Sequence, residues 1–403
     1  MSLFQPASRL TAVSVSPILA LSARAANLRS QGADVIDLTV GEPDFETPDN
    51  VKAAAIRALE AGRTRYTPLP GANDLRRAVA DHMAARHGLA FEPAQVISCS
   101  GAKQAIHNAL AATLDPGHEV ILPQPFWTSY ADMVSLEGGK PVTAAGRWDP
   151  QRGWRIDAEA IAAAITPATR WLLVNTPGNP AGTVMDAGER AAVAAVLKRN
   201  PHVWLLSDDI YEDIVFGPPP RTLAADFPEL LDRTLIVGGV SKAYAMTGWR
   251  LGWGVGPLPL IQAMTAVQSQ TTSAPSSISQ AAGVEALIGP QDAVHQMVRA
   301  FRERRDVIAP RLDRLDGVDC PTPEGAFYLF PRVEGLLGRS TPEGRVISTD
   351  LELSAYLLDQ AQVAAVAGSV FAAPGHLRLS FAAGLDRLTL AVDRVQAALE
   401  RLR

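Results

Sequence analysis

Val203-Trp204-Leu205-Leu206-Ser207-Asp208-Asp209-Ile210-Tyr211 reads as a short apolar strand that ends on a carboxylate. Comparable runs occupy Gln95 to Ser98, Glu119 to Leu122, Trp171 to Val174, Thr234 to Val237 and Leu251 to Val255. Helical patterns separate most of them, as in Lys103 to Leu114 and Ala187 to Lys198. This alternation predicts an α/β fold with a mostly parallel sheet covered by helices on both faces. Ligands of such sheets bind outside the carboxyl ends of the strands. The residues just after each strand are therefore the ones to read for chemistry.

At 403 residues the chain is too long for one ordinary core, and two domains are expected. Beyond Gln291 the pattern changes to a long charged helix running toward Arg314. Short strands follow at Ala326 to Phe330 and His376 to Phe381, then a terminal helix from Asp386. The expected division is a large domain over residues 50–290 and a smaller α+β domain formed by residues 1–49 and 291–403. Arg302, Arg304 and Arg305 interleave with Glu303 and Asp306, which reads as a solvated helix face.

Hydrophobic residues make up 47% and charged residues 20%, in keeping with a well-packed enzyme and not a disordered chain. A net charge of -5 leaves no footprint for nucleic acid, and no basic cluster points to a membrane surface. Two cysteines, Cys99 and Cys320, are too few for a disulfide framework or a zinc site and favour a reducing compartment. No signal-peptide or membrane-span pattern is read, so a cytoplasmic location is expected. No metal-binding motif is found. His82 and His87 stand about 140° apart on a helix and read as polar surface positions.

Several strand ends carry unusual residues. Cys99-Ser100-Gly101-Ala102-Lys103 opens a helix with a glycine turn, which lets backbone N–H groups face an anion. Asn175 follows the Trp171 strand. Asp208 ends a central strand, where a carboxylate needs a cationic partner or else serves only as a helix cap. Lys242 sits among Ala243, Tyr244, Ala245 and Met246, poor company for a surface lysine, and Arg250 follows. In Leu377-Arg378-Leu379-Ser380-Phe381, period-2 alternation separates Arg378 and Ser380 from the apolar face. Arg378 there is either solvated on an edge strand or a guanidinium fork for a carboxylate. Together these groups suit a phosphorylated, protonated heterocycle that forms an imine.

Asn175-x-Pro177-x-Asn179-Pro180-x-Gly182, Ser207-Asp208-x-Ile210-Tyr211, Ser241-Lys242-Ala243-Tyr244-Ala245-Met246-x-Gly248-Trp249-Arg250 and Arg378 stand in the order seen in class I aminotransferases. Gly41-Glu42-Pro43-Asp44-Phe45 and Arg65-Tyr66-x-Pro68-x-x-Gly71 extend the resemblance to the N-terminal region, and Gly325-Ala326-Phe327-Tyr328 agrees with it. The chain looks most like the bacterial aspartate and prephenate aminotransferase branch, with the fold type I architecture of pyridoxal-phosphate enzymes. The resemblance implies that Lys242 carries pyridoxal 5'-phosphate as an imine and shuttles the substrate proton. It implies that Asp208 pairs with the ring nitrogen, that Asn175 and Tyr211 bond the ring oxygen, and that Trp127 stacks on the ring. Gly101, Ala102 and Arg250 would hold the phosphate, with Lys103 in the same turn and Tyr66 reaching in from the other subunit of a homodimer. Arg378 would bind the substrate α-carboxylate, with Gly41, Asn175 and Trp127 close by.

Two departures bear on these roles. Many relatives have a serine three positions before the lysine, where this chain has Gly239; Ser241 is the expected substitute. The branch usually reads a distal carboxylate with a lysine matching Lys103, and also has Lys-Pro-Ser-x-Thr near its N-terminus. This chain reads Ser14-Val15-Ser16-Pro17-Ile18 there. The expected activity moves an amino group between an L-amino acid and a 2-oxo acid, with an aspartate- or glutamate-type donor. The alternatives are aromatic or neutral amino acids, prephenate, or a lyase on the same fold. A DNA-binding regulator would need a basic module that is absent. A dehydrogenase would need Gly-x-Gly-x-x-Gly, which Gly252-Trp253-Gly254-Val255-Gly256 does not supply.

Overall fold

The computed structural model describes residues 4–13 and 17–403. Seven strands form the main sheet: β1 (Val96–Cys99), β2 (Glu119–Pro123), β3 (Lys140–Ala144), β4 (Thr169–Asn175), β5 (Trp204–Asp208), β6 (Thr234–Gly239) and β7 (Gly252–Val255). Their order across the sheet is β1-β7-β6-β5-β4-β2-β3. Only β7 runs against its neighbours, pairing antiparallel with both β1 and β6. The six expected strands are all present, within a few residues of their expected ends. β3 was not foreseen. It is an edge strand that begins Lys140-Pro141, and a proline that donates nothing to a ladder is tolerated at an edge while weakening the sequence signal for a strand.

The central strands are buried end to end because helices cover both faces of the sheet. One layer joins Ile97, Leu122, Leu173 and Val237 to Ile106 and Leu110 of α2 (Ala102–Thr113). Another joins Leu172 and Leu205 to Val193 and Leu197 of the helix Ala187–Arg199. With two faces covered, the only openings are at the strand ends. The carboxyl ends of β1, β4, β5 and β6 share one edge with the start of β7, as the pairings Gly252↔Cys99, Gly252↔Gly239 and Asn175↔Asp208 require.

Gly252 makes that edge tight. A Cβ there would stand 2.4 Å from the backbone nitrogen of Ala102 and 2.9 Å from the carbonyl oxygen of Gly238. Backbone on both sides cannot step aside as a flexible side chain can.

A second group of elements packs beside the sheet. A three-stranded antiparallel sheet contains β8 (Tyr328–Leu329), β9 (Val366–Ala367) and β10 (Leu377–Ser380), with β10 in the middle. The short strand Ile36–Asp37 pairs in parallel with Val363–Ala364, so the N-terminal region is fastened to C-terminal elements. Ile36 and Leu38 bury themselves with Phe301, Phe327, Leu357 and Leu388. The long helix α4 (Asp292–Asp313) corrects one expectation. Arg304 is not solvated: it is buried and makes a two-pronged ion pair with Asp44, 2.6 and 2.9 Å. Charge alternation marks a helix as polar without revealing which charge has a partner across the interface.

Gly252→Ala should cost roughly 1–3 kcal/mol through overpacking, read as a fall of several degrees in the thermal midpoint. An unchanged midpoint would mean that the turn at Gly101 and Ala102 yields freely.

Candidate active site

The strand ends and the second layer enclose a cavity of about 420 Å³. Lys242 and Ser241 enter it from the loop after β6, Asp208 and Tyr211 from the end of β5, and Asn175 from the end of β4. Ala102, Lys103, Trp127 and Arg250 line it on the sheet side, Gly41 and Arg378 on the other. Gly101 lies just behind, with Arg250 packed so closely that a Cβ at Gly101 would stand 2.7 Å from Nη2. Tyr66 is the exception: it is 93% exposed and does not line the cavity.

Asp208 is buried at the end of a strand covered on both faces, and burial pushes its carboxyl up to about 6. Oδ2 accepts a hydrogen bond from Tyr130 Oη at 2.6 Å, and Oδ1 accepts the Ile210 N–H at 3.3 Å. Asp208 has no ion pair among the described residues, so the cationic partner expected for it is not another side chain. Asn175 donates from Nδ2 to the Asp208 carbonyl oxygen, 2.8 Å, and its Oδ1 accepts the Asn179 N–H, 2.9 Å. One hydrogen of its amide is left for the cavity.

Lys242 donates to the carbonyl oxygen of Gly41. Its ammonium is pushed down to about 8, chiefly by burial, with Arg378 and Arg250 adding to the effect and Glu42 opposing it. Tyr211 Oη and Tyr328 Oη share a hydrogen bond of 2.9 Å, and burial raises both phenols, so they stay protonated.

Arg378 occupies the middle strand of the small sheet and is buried, which removes the solvated-edge alternative. Its guanidinium lies 4.6 Å from the Tyr328 ring and 4.9 Å from the Phe371 ring. Nη1 donates to Asn179 Oδ1 at 2.9 Å and Nη2 to the Thr39 carbonyl oxygen at 2.5 Å. Nε is buried with no partner, and no carboxylate pairs with this charge among the described residues. A buried guanidinium held only by neutral oxygens is set up to receive an anion.

At the opposite end, Gly101 takes φ of 91° and the first helical N–H groups of α2 have no intrahelical acceptor. Arg250, also at positive φ, stands beside them and donates to the Ser100 and Thr247 carbonyl oxygens at 3.4 and 2.9 Å. The unpaired N–H groups and the Arg250 charge together suit a second anion. The departure at Gly239 has a steric reason: a Cβ there would stand 3.0 Å from Gly252 Cα and 3.1 Å from the Leu251 carbonyl oxygen. Ser241 does line the cavity.

Lys103 lies 4.5 Å over the Trp127 ring and donates to Ser129 Oγ at 3.3 Å. Burial, then Arg250, lowers its ammonium. The Ser14–Ser16 part of the N-terminal motif lies outside the described residues, but Ile18 and Leu19 line the cavity. The sequence reading also passed over Tyr130, Tyr328 and Thr39. Tyr328 ends the quoted run Gly325-Ala326-Phe327-Tyr328 and Tyr130 lies three residues after Trp127, yet an aromatic residue in a sequence carries no sign of what its hydroxyl meets.

His82 and His87 are a further correction. Both histidines reach the carboxylate of Glu212, His82 at 3.3 Å and His87 at 2.7 Å, and His87 is buried. Helical spacing separates their directions, but one carboxylate with two oxygens bridges them. Hydrogen bonds from the two imidazoles hold Glu212 down at about 2 against the opposing effect of burial.

Comparison with known proteins agrees with this geometry. The family model described as aminotransferase class I and II matches residues 33–394. An aspartate aminotransferase of Rhizobium meliloti strain 1021 is 50% identical, covering 99% of this chain and 97% of the relative. An aspartate/prephenate aminotransferase of Cereibacter sphaeroides is 46% identical over 96% of this chain and 97% of its own. Among solved structures, the aspartate aminotransferase of Rhizobium meliloti superposes with a TM-score of 0.96 at 49% identity, covering 99% of this chain and all of the other. That of Thermus thermophilus, solved with maleate, gives 0.91 at 38% identity, covering 98% and 100%. The chain belongs to the class I and II aminotransferase family. It is an α/β aminotransferase of the aspartate aminotransferase type.

The lowered proton affinity of Lys242 has a chemical consequence. In protein freed of any bound carbonyl compound, a small aldehyde with a reducing agent near pH 8 should alkylate Lys242 well ahead of Lys52, Lys140 and Lys198. Peptide mass spectrometry reads the order, and equal labelling of Lys52 and Lys242 would contradict it.

Proposed function

We propose that the protein uses pyridoxal 5'-phosphate to move the amino group of a dicarboxylic L-amino acid, aspartate or glutamate, to a 2-oxo acid. The observation that carries this reading is a lysine whose ammonium is disfavoured by burial, facing the same cavity as a buried carboxylate with no ion pair among the described residues. Anion sites at Gly101/Arg250 and at Arg378 flank them.

The residues fit that cofactor. Lys242 would hold its aldehyde carbon, Asp208 its protonated ring nitrogen, and Asn175 and Tyr211 its ring oxygen. Trp127 would cover the ring face, and Gly101, Ala102, Ser241 and Arg250 would take the phosphate. When bound, the cofactor supplies a cationic ring that accepts the electron pair left at the substrate's α-carbon. Arg378, with its free Nε–H, grips the α-carboxylate and turns the Cα–H bond toward Lys242. Lys242 Nζ, once free, would take up the Cα proton and deliver it to the carbon on the other side of the substrate nitrogen. Gly41 offers a carbonyl oxygen that steadies the ammonium so formed. Tyr211, kept protonated, donates and does not compete as a base.

Lys103 is the residue that would read the distal carboxylate. Its ammonium projects over Trp127 into the cavity. The relatives' names as aspartate aminotransferases support the same donor class. Tyr66, at 93% exposure, supports a homodimer in which it completes a neighbour's phosphate site. The fastening of Ile36–Asp37 to Val363–Ala364 supports a division into residues 50–290 and residues 1–49 with 291–403. No helix among the described residues is long and apolar enough to cross a membrane. That fits the cytoplasmic location proposed from the cysteine count.

With aspartate alone, the holoenzyme should release close to one equivalent of 2-oxo acid per site and then stop. Continuous release would identify a lyase instead. Arg378→Lys should raise KM for every amino donor alike, by tenfold or more, since roughly 1.5–3 kcal/mol of charged hydrogen bonding is at stake. Lys103→Ala should raise KM about tenfold for aspartate and glutamate and little for alanine. A parallel rise for alanine would assign Lys103 to the phosphate turn.

A further inference from the structure

Tyr130 belongs to the first turn of α3 (Ser129–Leu136), on an element apart from the strands that carry the other site groups. It is 1% exposed, with its ring edge-on to Trp127 at 5.3 Å and 89°. Its hydroxyl makes the shortest contact to the Asp208 carboxylate, 2.6 Å to Oδ2. Burial and the neighbouring Asp208 charge raise the phenol far above its ordinary range, so it donates and the carboxylate accepts. The remaining bond to the carboxylate, from the Ile210 N–H, is longer at 3.3 Å.

We propose that Tyr130 is a positioning residue that holds Asp208 as an oriented carboxylate toward the ring nitrogen, an assignment that rests on the cofactor reading above. A buried carboxylate has two ways to relax: it takes up a proton, or it turns toward any free N–H. A single phenolic proton at 2.6 Å opposes both. It favours the charged form, and it ties down one oxygen while leaving lone pairs for the cavity. The other charged and titratable groups facing this pair are Lys242, Tyr211 and Asp209. Lys242 favours the Asp208 charge only at a distance, and Asp209 and Tyr211 disfavour ionisation of Tyr130, which keeps it a donor. The Tyr130 bond is the largest influence opposing the burial of Asp208.

The same helical turn carries Ser129, which accepts from Lys103. One turn of α3 therefore touches both the carboxylate at the ring nitrogen and the lysine at the far end of the cavity.

The test is the rate at which full-length holoenzyme loses pyridoxal phosphate, followed from pH 5.5 to 8.5. Wild type, Tyr130→Phe, Asp208→Asn and the double variant are compared. Tyr130→Phe should release the cofactor about tenfold faster near pH 6, the factor expected for one charge-assisted hydrogen bond. The difference should shrink toward pH 8.5, where Asp208 is ionised without help. In the Asp208→Asn background the same change should add little, because the carboxylate charge that the hydroxyl supports is gone. Equal acceleration in both backgrounds, or none at any pH, would assign Tyr130 to packing alone. Should Tyr130→Phe fail to fold, 3-fluorotyrosine at this position keeps the ring with a stronger donor. It should move the release midpoint to lower pH, and an unmoved midpoint counts against the assignment. A wild-type protein that holds no pyridoxal phosphate removes the cofactor reading itself, an outcome separate from any difference among variants.

Discussion

Asp208 sits where water does not reach, and much of the site exists to keep it charged. A carboxylate without solvent loses several kcal/mol of hydration. Here the return comes from a phenol, a backbone N–H and the field of Lys242, with no cation in contact among the described residues. Successive residues of a strand point to opposite faces, so Asp209 turns away from the cavity into a separate network. Its Oδ1 accepts from Ser207 at 2.7 Å, and the ionised Glu212 nearby adds to burial in pushing its carboxyl up to about 7. Glu212 is in turn bridged by His82 and His87, and His87 Nδ1 accepts the Thr222 N–H at 3.2 Å. That last contact fixes the proton of His87 on Nε2. Tyr211 lies between Asp208 and Glu212 in sequence, so its phenol is placed by a segment anchored on both sides of the sheet.

The cavity as a whole is charged against its own interest. Lys242 is held toward neutrality, Asp208 toward protonation, and Arg378 has its guanidinium buried with one N–H idle. Each group is uncomfortable for the same reason, loss of water, and on the reading proposed above each would be relieved by a different part of the bound molecules. An anion would satisfy Arg378, a second anion the Gly101 turn, and a cation Asp208. Dipoles and charges fixed before the ligand arrives need no reorganisation when charge develops on it. The positive phenol shifts of Tyr130, Tyr211 and Tyr328 belong to the same account, since they remain donors throughout.

What the chain discloses on reading and what it withholds follow a physical line. Runs such as Trp171 to Val174 announce buried strands, because burial on both faces demands apolar residues without interruption. Their ends announce chemistry because polar residues at that point have few structural uses. Lys140–Ala144 stays hidden because an edge strand is half solvated and tolerates a proline. Arg304, His82 and His87 were misread for a shared reason. Helical periodicity gives the direction of a side chain from its own axis and says nothing of the Asp44 or Glu212 that waits across the gap. Tyr130 was visible only as a neighbour of Trp127, since a hydroxyl's partner is set by tertiary packing. Tyr66 is a surface residue within one chain.

Lys103 supplies one ammonium, lowered by burial and by Arg250, and resting on the Trp127 ring. Ile18 and Leu19 line the cavity with apolar side chains. An ammonium on a flexible stem is a point charge, and it lacks the planar fork with which a guanidinium selects both charge and angle. Recognition by such a group rewards a carboxylate without dictating its distance closely. An apolar rim, for its part, imposes little penalty on an added methylene or ring. On the reading proposed above, selectivity for the side chain would rest on few contacts, and the transfer chemistry on the converging strand ends and the buried carboxylate they hold.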